Sequence, residues 1–267
     1  MVDLNRTIER SRELDADILF EAHKGLEAFD LTLVIPCYNE ESHIENSVKE
    51  LLFSMSNTTL SYEIIFIDDC SLDGTRSKLI ELKKLNDRIT VIFNDKNIGR
   101  GATVTKGFRL SKAIVVGFID IDLSTQALYV PYLTNLILND VADVATCHRS
   151  YKIQMSVFHR VAIRYFLSYG YRNISRWYLG HKLADTETGC KFFLRSKVTS
   201  LLDKVIDTNW FWDTEIMVLA ERSGYRIREV FSIFVRRPEK PSTVKITRDV
   251  ARYISCLLKF KSRLNEH

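Results

Sequence analysis

A chain of 267 residues, 46% of them hydrophobic, can bury one large core or two modest ones. Its formal charge of +4 is too mild to indicate nucleic acid, and five singly scattered cysteines (Cys37, Cys70, Cys147, Cys190, Cys256) argue against a disulfide framework and a structural zinc site. The charged start lacks a signal-peptide core and no apolar run reaches about 18 residues, so the expectation is a soluble or peripheral protein without a transmembrane helix.

Residues 1–29 are highly charged, and irregular helical spacing of Leu4, Ile8, Leu14, Ile18, Leu19 and Leu26 predicts a helical lead-in. Leu31 to Pro36 is an apolar strand closed by proline and followed by Cys37-Tyr38-Asn39-Glu40-Glu41. Ser42-His43-Ile44-Glu45 has the capping-box pattern and opens a helix with Ile44, Val48, Leu51 and Leu52 on one face. Tyr62 to Ile67 is a second buried strand, ending in Asp68-Asp69-Cys70-Ser71. Asp73-Gly74-Thr75 is turn chemistry, and a helix with Leu79, Leu82 and Leu85 follows. Ile89 to Phe93 forms a third strand, and a loop from Asn94 to Gly101 leads into another helix.

Val115 to Ile119 is an unbroken apolar run, as in a parallel strand covered on both faces, and it ends in Asp120-Ile121-Asp122-Leu123-Ser124. If the chain stays extended, alternation sends Asp120 and Asp122 to one side. Two such carboxylates repel unless neutralised, and Mg²⁺ or Mn²⁺ suits an all-oxygen pair. The alternative for this triplet alone is an acidic turn.

Strand repeatedly alternating with helix predicts a parallel sheet wrapped by helices. Ligands then bind beyond the carboxyl ends of the strands, where Pro36–Glu40, Asp68-Asp69 and Asp120/Asp122 all fall. Farther on, a helix near Leu128 to Leu138 precedes a strand at Asp143 to Cys147 with His148-Arg149 at its end. Residues 155–179 mix aromatics with Arg160, Arg164, Arg172 and Arg176, fitting either a membrane-interface helix or a basic helix packed on the domain. Lys191 to Leu194 is a strand, Asp213 a candidate helix cap, and Arg226 to Val235 the last strand. The division expected is lead-in 1–29, main domain 30–245 and amphipathic C-terminal helix 246–267.

Pro36-Cys37-Tyr38-Asn39-Glu40, Asp68 to Thr75 and Asp120 to Ser124, in that order, resemble glycosyltransferase family 2. Gly99-Arg100-Gly101-Ala102, Asp185 to Lys191, and Trp212 to Glu215 with Gly224 to Ile227 add to the likeness, which is greatest to dolichyl- and polyprenyl-phosphate hexosyltransferases. The resemblance implies the GT-A fold (a Rossmann-like, mostly parallel sheet with helices on both faces), a nucleoside-diphosphate sugar, a divalent metal and inverting transfer. The donor would be GDP-mannose or UDP-glucose and the acceptor a polyprenyl or dolichyl phosphate.

By position, Pro36, Tyr38, Glu40 and Asp68 or Asp69 would hold the base and ribose. Asp120 and Asp122, with Ser124 beside them, would meet the diphosphate through the metal. Arg149, Arg164, Ser168 and Arg237 would clamp the acceptor phosphate. Arg100 is either a phosphate contact or a solvated loop charge. Asp185 is either the first candidate for a general base, should the acceptor be a hydroxyl, or a capping or salt-bridging acid. Departures are Ser242-Thr243-Val244 where relatives often carry Ser-Lys-Val, with Lys245 as the substitute, and Cys70 where glycine is usual.

The expected place is the cytoplasmic face of a membrane, with a membrane-anchoring partner or self-association as further contacts. The rival functions are a family 2 transferase acting on a saccharide or protein hydroxyl, and a non-catalytic nucleotide-sugar-binding or membrane-scaffold protein.

Overall fold

The computed structural model describes residues 29–151, 170–234 and 246–265. The helical lead-in, Arg164, Ser168 and Arg237 lie outside the described residues, as does most of the aromatic and cationic stretch.

The first half alternates as expected: β1 (Phe29–Cys37), α1 (Ile44–Ser56), β2 (Tyr62–Asp68), α2 (Thr75–Leu85), β3 (Ile89–Phe93), α3 (Arg100–Leu110) and β4 (Ala113–Ile119). Then come α4 (Tyr129–Leu138), β5 (Val144–Tyr151), α5 (170–179), β6 (Cys190–Leu194), α6 (Arg195–Leu202), α7 (Trp212–Arg222), β7 (Ile227–Phe234) and α8 (Ile246–Asn265). Among the described residues the strands form a seven-stranded sheet in the order β3-β2-β1-β4-β6-β5-β7. β6 alone runs antiparallel, pairing with β4 and β5. The carboxyl ends of the other strands therefore share one rim with the start of β6.

Both faces of the sheet are covered, and period-two alternation divides each strand between them. Leu33 and Ile35 of β1 pack with Val48 and Leu51 of α1 and Leu133 of α4. Val34 between them faces Val104 and Phe108 of α3 and Trp212 and Ile216 of α7. All seven residues of β4 are buried. Trp212 meets Phe118 edge-on at 5.8 Å and Phe108 at 6.1 Å, a geometry that adds to plain area burial.

α8 docks on the domain. Leu257 and Phe260 pack with Leu179 of α5 and with Phe211 and Val218, which places the base of this helix in the core. A hydroxyl chain ties the same elements, Thr214 lying 2.9 Å from both Tyr171 and Tyr253.

Three local expectations are corrected. The capping box is not formed: α1 begins after His43 without a side-chain cap, and the His43 amide donates to the Glu40 carbonyl at 2.9 Å. Asp213 is no cap either, since it sits inside the first turn of α7 and its carboxylate turns to two cations described below. Finally β4 stops at Ile119, so Asp120 and Asp122 meet through a turn and not through strand alternation. The Leu123 amide closes that turn on the Asp120 carbonyl at 3.0 Å.

Candidate active site

The β1 and β2 loops are stitched to each other. The Asn39 amide donates to Ser71 Oγ at 2.9 Å, and the Leu72 amide donates to Asn39 Oδ1 at 2.8 Å. The Glu40 amide donates to Thr75 Oγ1 at 2.7 Å and the Gly74 amide to Glu41 Oε2 at 2.9 Å. Pro36 is the last residue but one of β1, Tyr38 just beyond the strand is exposed, and Glu40 is half-buried. Cys70 takes φ 66°, the left-handed conformation that glycine adopts without strain, which accounts for glycine at the matching family position.

The two acids ending β2 differ. Asp69 is a loop anchor: Asn94 Nδ2 donates to its Oδ1 at 2.8 Å, the Ile98 amide to Oδ1 at 2.9 Å and the Gly99 amide to Oδ2 at 2.9 Å. Asp68 is buried, and its recorded partners are looser, the Ser71 amide at 3.3 Å and Arg76 at 3.6 Å. Of the pair offered for the nucleotide, Asp68 has the carboxylate less committed to the fold.

By anchoring the 94–99 loop, Asp69 sets the start of α3 and hence Arg100. Arg100 is no solvated loop charge, because only 11% of its side chain is exposed. Its Nε and Nη2 donate to Asp120 Oδ1 at 2.9 and 2.7 Å, and its Nη1 donates to Asp213 Oδ2 at 2.6 Å. Lys191 Nζ, fully buried, donates to the other Asp213 oxygen at 2.6 Å. The rings of Phe118 and Trp210 each lie 4.9 Å from the Arg100 guanidinium carbon. Burial pushes the Asp120 carboxyl up, Arg100 pulls it back, and Asp122 and Asp213 push it up again. The Ser124 amide donates to Asp122 Oδ1 at 3.0 Å.

The 185–189 turn touches this cluster from the other side. The Asp120 amide donates to the Gly189 carbonyl at 2.9 Å. A Cβ on Gly189 would fall 1.9 Å from Asp120 Oδ2, so only glycine lets the carboxylate lie there. Asp185 is fully buried and takes Arg149 Nε at 2.6 Å and Nη2 at 2.8 Å, as well as the Glu187 amide at 3.1 Å. Burial alone would raise its pKa, but Arg149 holds it below the usual carboxylate range. The geometry is that of an anchor for Arg149, not of a proton acceptor.

Glu187 is the contrasting carboxylate. Arg149 Nη2 lies 3.4 Å from its Oε2, yet burial, with Asp185 and Asp213 nearby, pushes it up to about 7. The folded protein therefore binds this proton more tightly than the unfolded chain does. Its contribution to stability is greatest at low pH and falls as pH rises from about 4.5 to about 7. Glu187→Gln should flatten that part of the stability profile and melt above wild type at pH 8. Melting curves at pH 5 and 8 check this, and an unchanged pH 5-to-8 difference in the variant would refute it.

Glu187, Gly189, Lys191 and Asp213 join the site without having been assigned roles in it from the sequence. The one local signal was Lys191 inside the apolar strand Cys190-Lys191-Phe192-Phe193-Leu194, where a buried cation requires a partner. Among the described residues no group of three or more His, Cys, Asp or Glu is placed to hold a metal. Asp120 and Asp122 fit a hard cation only if further oxygens come from a ligand, as Mg²⁺ commonly takes them from phosphates.

A mostly parallel sheet covered on both faces, with an acid pair in the turn just beyond its central strand, defines the class: an α/β domain of the GT-A type. Residues 32–202 match the family model for Glycosyl transferase family 2, and the chain belongs to that family. Glycosyltransferase AglD of Haloferax volcanii is 30% identical over 223 residues, 83% of this chain and 35% of that protein, so the chain spans about a third of that relative. A dolichyl-phosphate beta-glucosyltransferase of Dictyostelium discoideum is 27% identical over 224 residues, 79% of this chain and 68% of that one. The fold is also that of glucosyl-3-phosphoglycerate synthase from Mycobacterium tuberculosis, solved with Mn²⁺, uridine diphosphate and glucosyl-3-phosphoglycerate. There the TM-score is 0.61 at 21% identity, over 91% of this chain and 83% of that one.

Proposed function

We infer that this protein moves a hexose from a nucleoside-diphosphate sugar to a polyprenyl or dolichyl phosphate at a membrane surface, inverting the anomeric carbon. GDP-mannose and UDP-glucose are the candidate donors. One observation carries the reading: the 185–189 turn bonds Asp120 through Gly189 and holds Arg149 through Asp185. It thereby ties a candidate acceptor cation and one acid of the pair to the same turn. Similarity to a dolichyl-phosphate beta-glucosyltransferase supports the acceptor class.

In this reading Asp120 and Asp122 hold Mg²⁺ or Mn²⁺, with Ser124 steadying Asp122 through its amide. The bound ion would supply neutralisation of the departing nucleoside diphosphate. Pro36, Tyr38, Glu40 and Asp68 border the base and ribose. Arg149, Arg164, Ser168 and Arg237 hold the acceptor phosphate. That phosphate is already ionised near neutral pH, so its oxygen can attack the anomeric carbon without a strong base, and Asp185 serves to position Arg149. The second reading, a saccharide or protein hydroxyl acceptor, does need a base. Glu187, raised to about 7, is then the group suited to the task.

No described helix is long and apolar enough to cross a membrane. Trp177 and Ile174 on α5 and Ile254 and Leu258 on α8 are nonetheless exposed, and Lys261 lies 5.9 Å over the Tyr178 ring where the two helices meet. Aromatic, aliphatic and cationic groups on adjoining helices suit a headgroup layer, which supports peripheral attachment; the cytoplasmic face is the side we propose.

Arg164→Ala tests the acceptor. With a short, water-soluble prenyl phosphate the variant should show a higher KM for the acceptor or a lower kcat, with nucleotide binding little changed, because planar paired hydrogen bonds to phosphate are lost. The short acceptor removes the membrane from the comparison. Equal turnover by variant and wild type would exclude Arg164 from the phosphate clamp.

A further inference from the structure

Arg100 already occupies Asp120 Oδ1, one of the oxygens that the acid pair would offer a metal. Two of its nitrogens point to Asp120 Oδ1, the third to Asp213, and Phe118 and Trp210 flank the guanidinium. Asp213 is shared with Lys191, which takes its other oxygen. Counting formal charges, Asp120, Asp122 and Asp213 give three negative and Arg100 and Lys191 two positive. The cluster without ligand carries one negative charge, shared by the acid pair. A divalent ion added to that pair would reverse the sign and leave net positive charge against an arginine only 11% exposed and a lysine fully buried. Like charges at such range in a poorly solvated site oppose each other strongly. A nucleoside diphosphate arriving with the ion removes the excess.

We propose that Arg100 is a resident counter-cation for the acid pair, which disfavours a divalent ion alone and makes its binding conditional on a nucleoside diphosphate. This rests on the nucleotide-sugar reading above. Arg100 lies first in α3 and is placed by the Asp69-anchored loop, so a carboxylate at the end of β2 fixes where this cation stands. With the metal on the acids, the guanidinium is released toward the diphosphate, and the two ligands become coupled through one side chain. The coupling is reciprocal: whatever factor the diphosphate adds to metal affinity, the metal adds to diphosphate affinity.

Mn²⁺ binding, followed by the electron paramagnetic resonance of the free ion and without any turnover, tests the proposal in wild type, Arg100→Met and Arg100→Gln. Both substitutions remove the charge. Methionine keeps an apolar stem between Phe118 and Trp210, and glutamine keeps a donor for Asp120, should methionine fail to fold. Wild type should bind Mn²⁺ weakly alone and about tenfold or more tightly with uridine or guanosine diphosphate present. The neutral variants should bind Mn²⁺ alone about tenfold more tightly than wild type, and the diphosphate should then add less. A folded neutral variant that binds Mn²⁺ alone no better than wild type overturns the counter-cation role. So does a wild type whose Mn²⁺ affinity ignores a diphosphate that it binds. Failure of the nucleotide-sugar reading has a different signature, in which neither diphosphate binds wild type at any Mn²⁺ concentration.

Discussion

Asp122→Ala should lower turnover by ~10²-fold or more, equivalent to about 2.7 kcal/mol of transition-state stabilisation, while leaving the fold intact. Asp122 sits in the turn beyond β4, half-buried, and its recorded hydrogen bond is the one from the Ser124 amide. Losing that bond costs the turn little, about 1 kcal/mol. Losing a carboxylate from a two-acid site, which has no third protein ligand among the described residues, leaves a divalent ion with one. Asp122→Asn separates the two effects, because its side-chain oxygen can still accept from Ser124 while the charge is gone. Rates in Mg²⁺, Mn²⁺ and chelator, with melting curves alongside, check the prediction. Full activity of Asp122→Ala in chelator would contradict the metal assignment.

Asp213→Ala should act on stability first. The substitution strands Lys191, which is fully buried, and removes one of the two acids held by Arg100. Removing one partner of a buried pair typically costs ~3–5 kcal/mol, because the remaining charge has neither water nor counter-ion. Burial already lowers the Lys191 pKa against the pull of Asp213, so the variant would drive that lysine toward its neutral form. Replacing both partners with apolar residues, Asp213→Leu with Lys191→Met, should recover much of the loss and still leave Arg100 without its second anchor. Urea denaturation gives the measurement. A loss under about 0.5 kcal/mol for Asp213→Ala would show the pair to be solvated in a way its burial denies.

The rim of the sheet was legible in the sequence, since β1, β2 and β4 are largely apolar runs each followed by polar residues, and strand ends are where such sheets bind ligands. Arg100 and Asp213 lie 113 positions apart, and Lys191 and Asp213 are 22 apart. No periodicity reports which cation reaches which carboxylate at such separations; that depends on β6 lying beside β4. The same blindness hid the division of labour within Asp68-Asp69, where neighbouring carboxylates face different loops. It also hid the contrast between Asp185, saturated by Arg149, and Glu187 two residues on. The capping box failed for a simpler reason: the Glu40 carbonyl already receives the His43 amide, so the backbone itself turns the chain into α1.

The most direct test of the central claim is the mass of a product. The protein is incubated with Mn²⁺ or Mg²⁺, GDP-mannose, UDP-glucose and related donors one at a time, and a polyprenyl phosphate, and the lipid fraction is weighed by mass spectrometry. The account predicts that one donor adds a single hexose to the lipid phosphate, that chelator abolishes the product, and that the corresponding free prenol is not glycosylated. Transfer to the prenol or to a saccharide with the lipid phosphate untouched, or binding of a sugar nucleotide with no product from any acceptor, would contradict it.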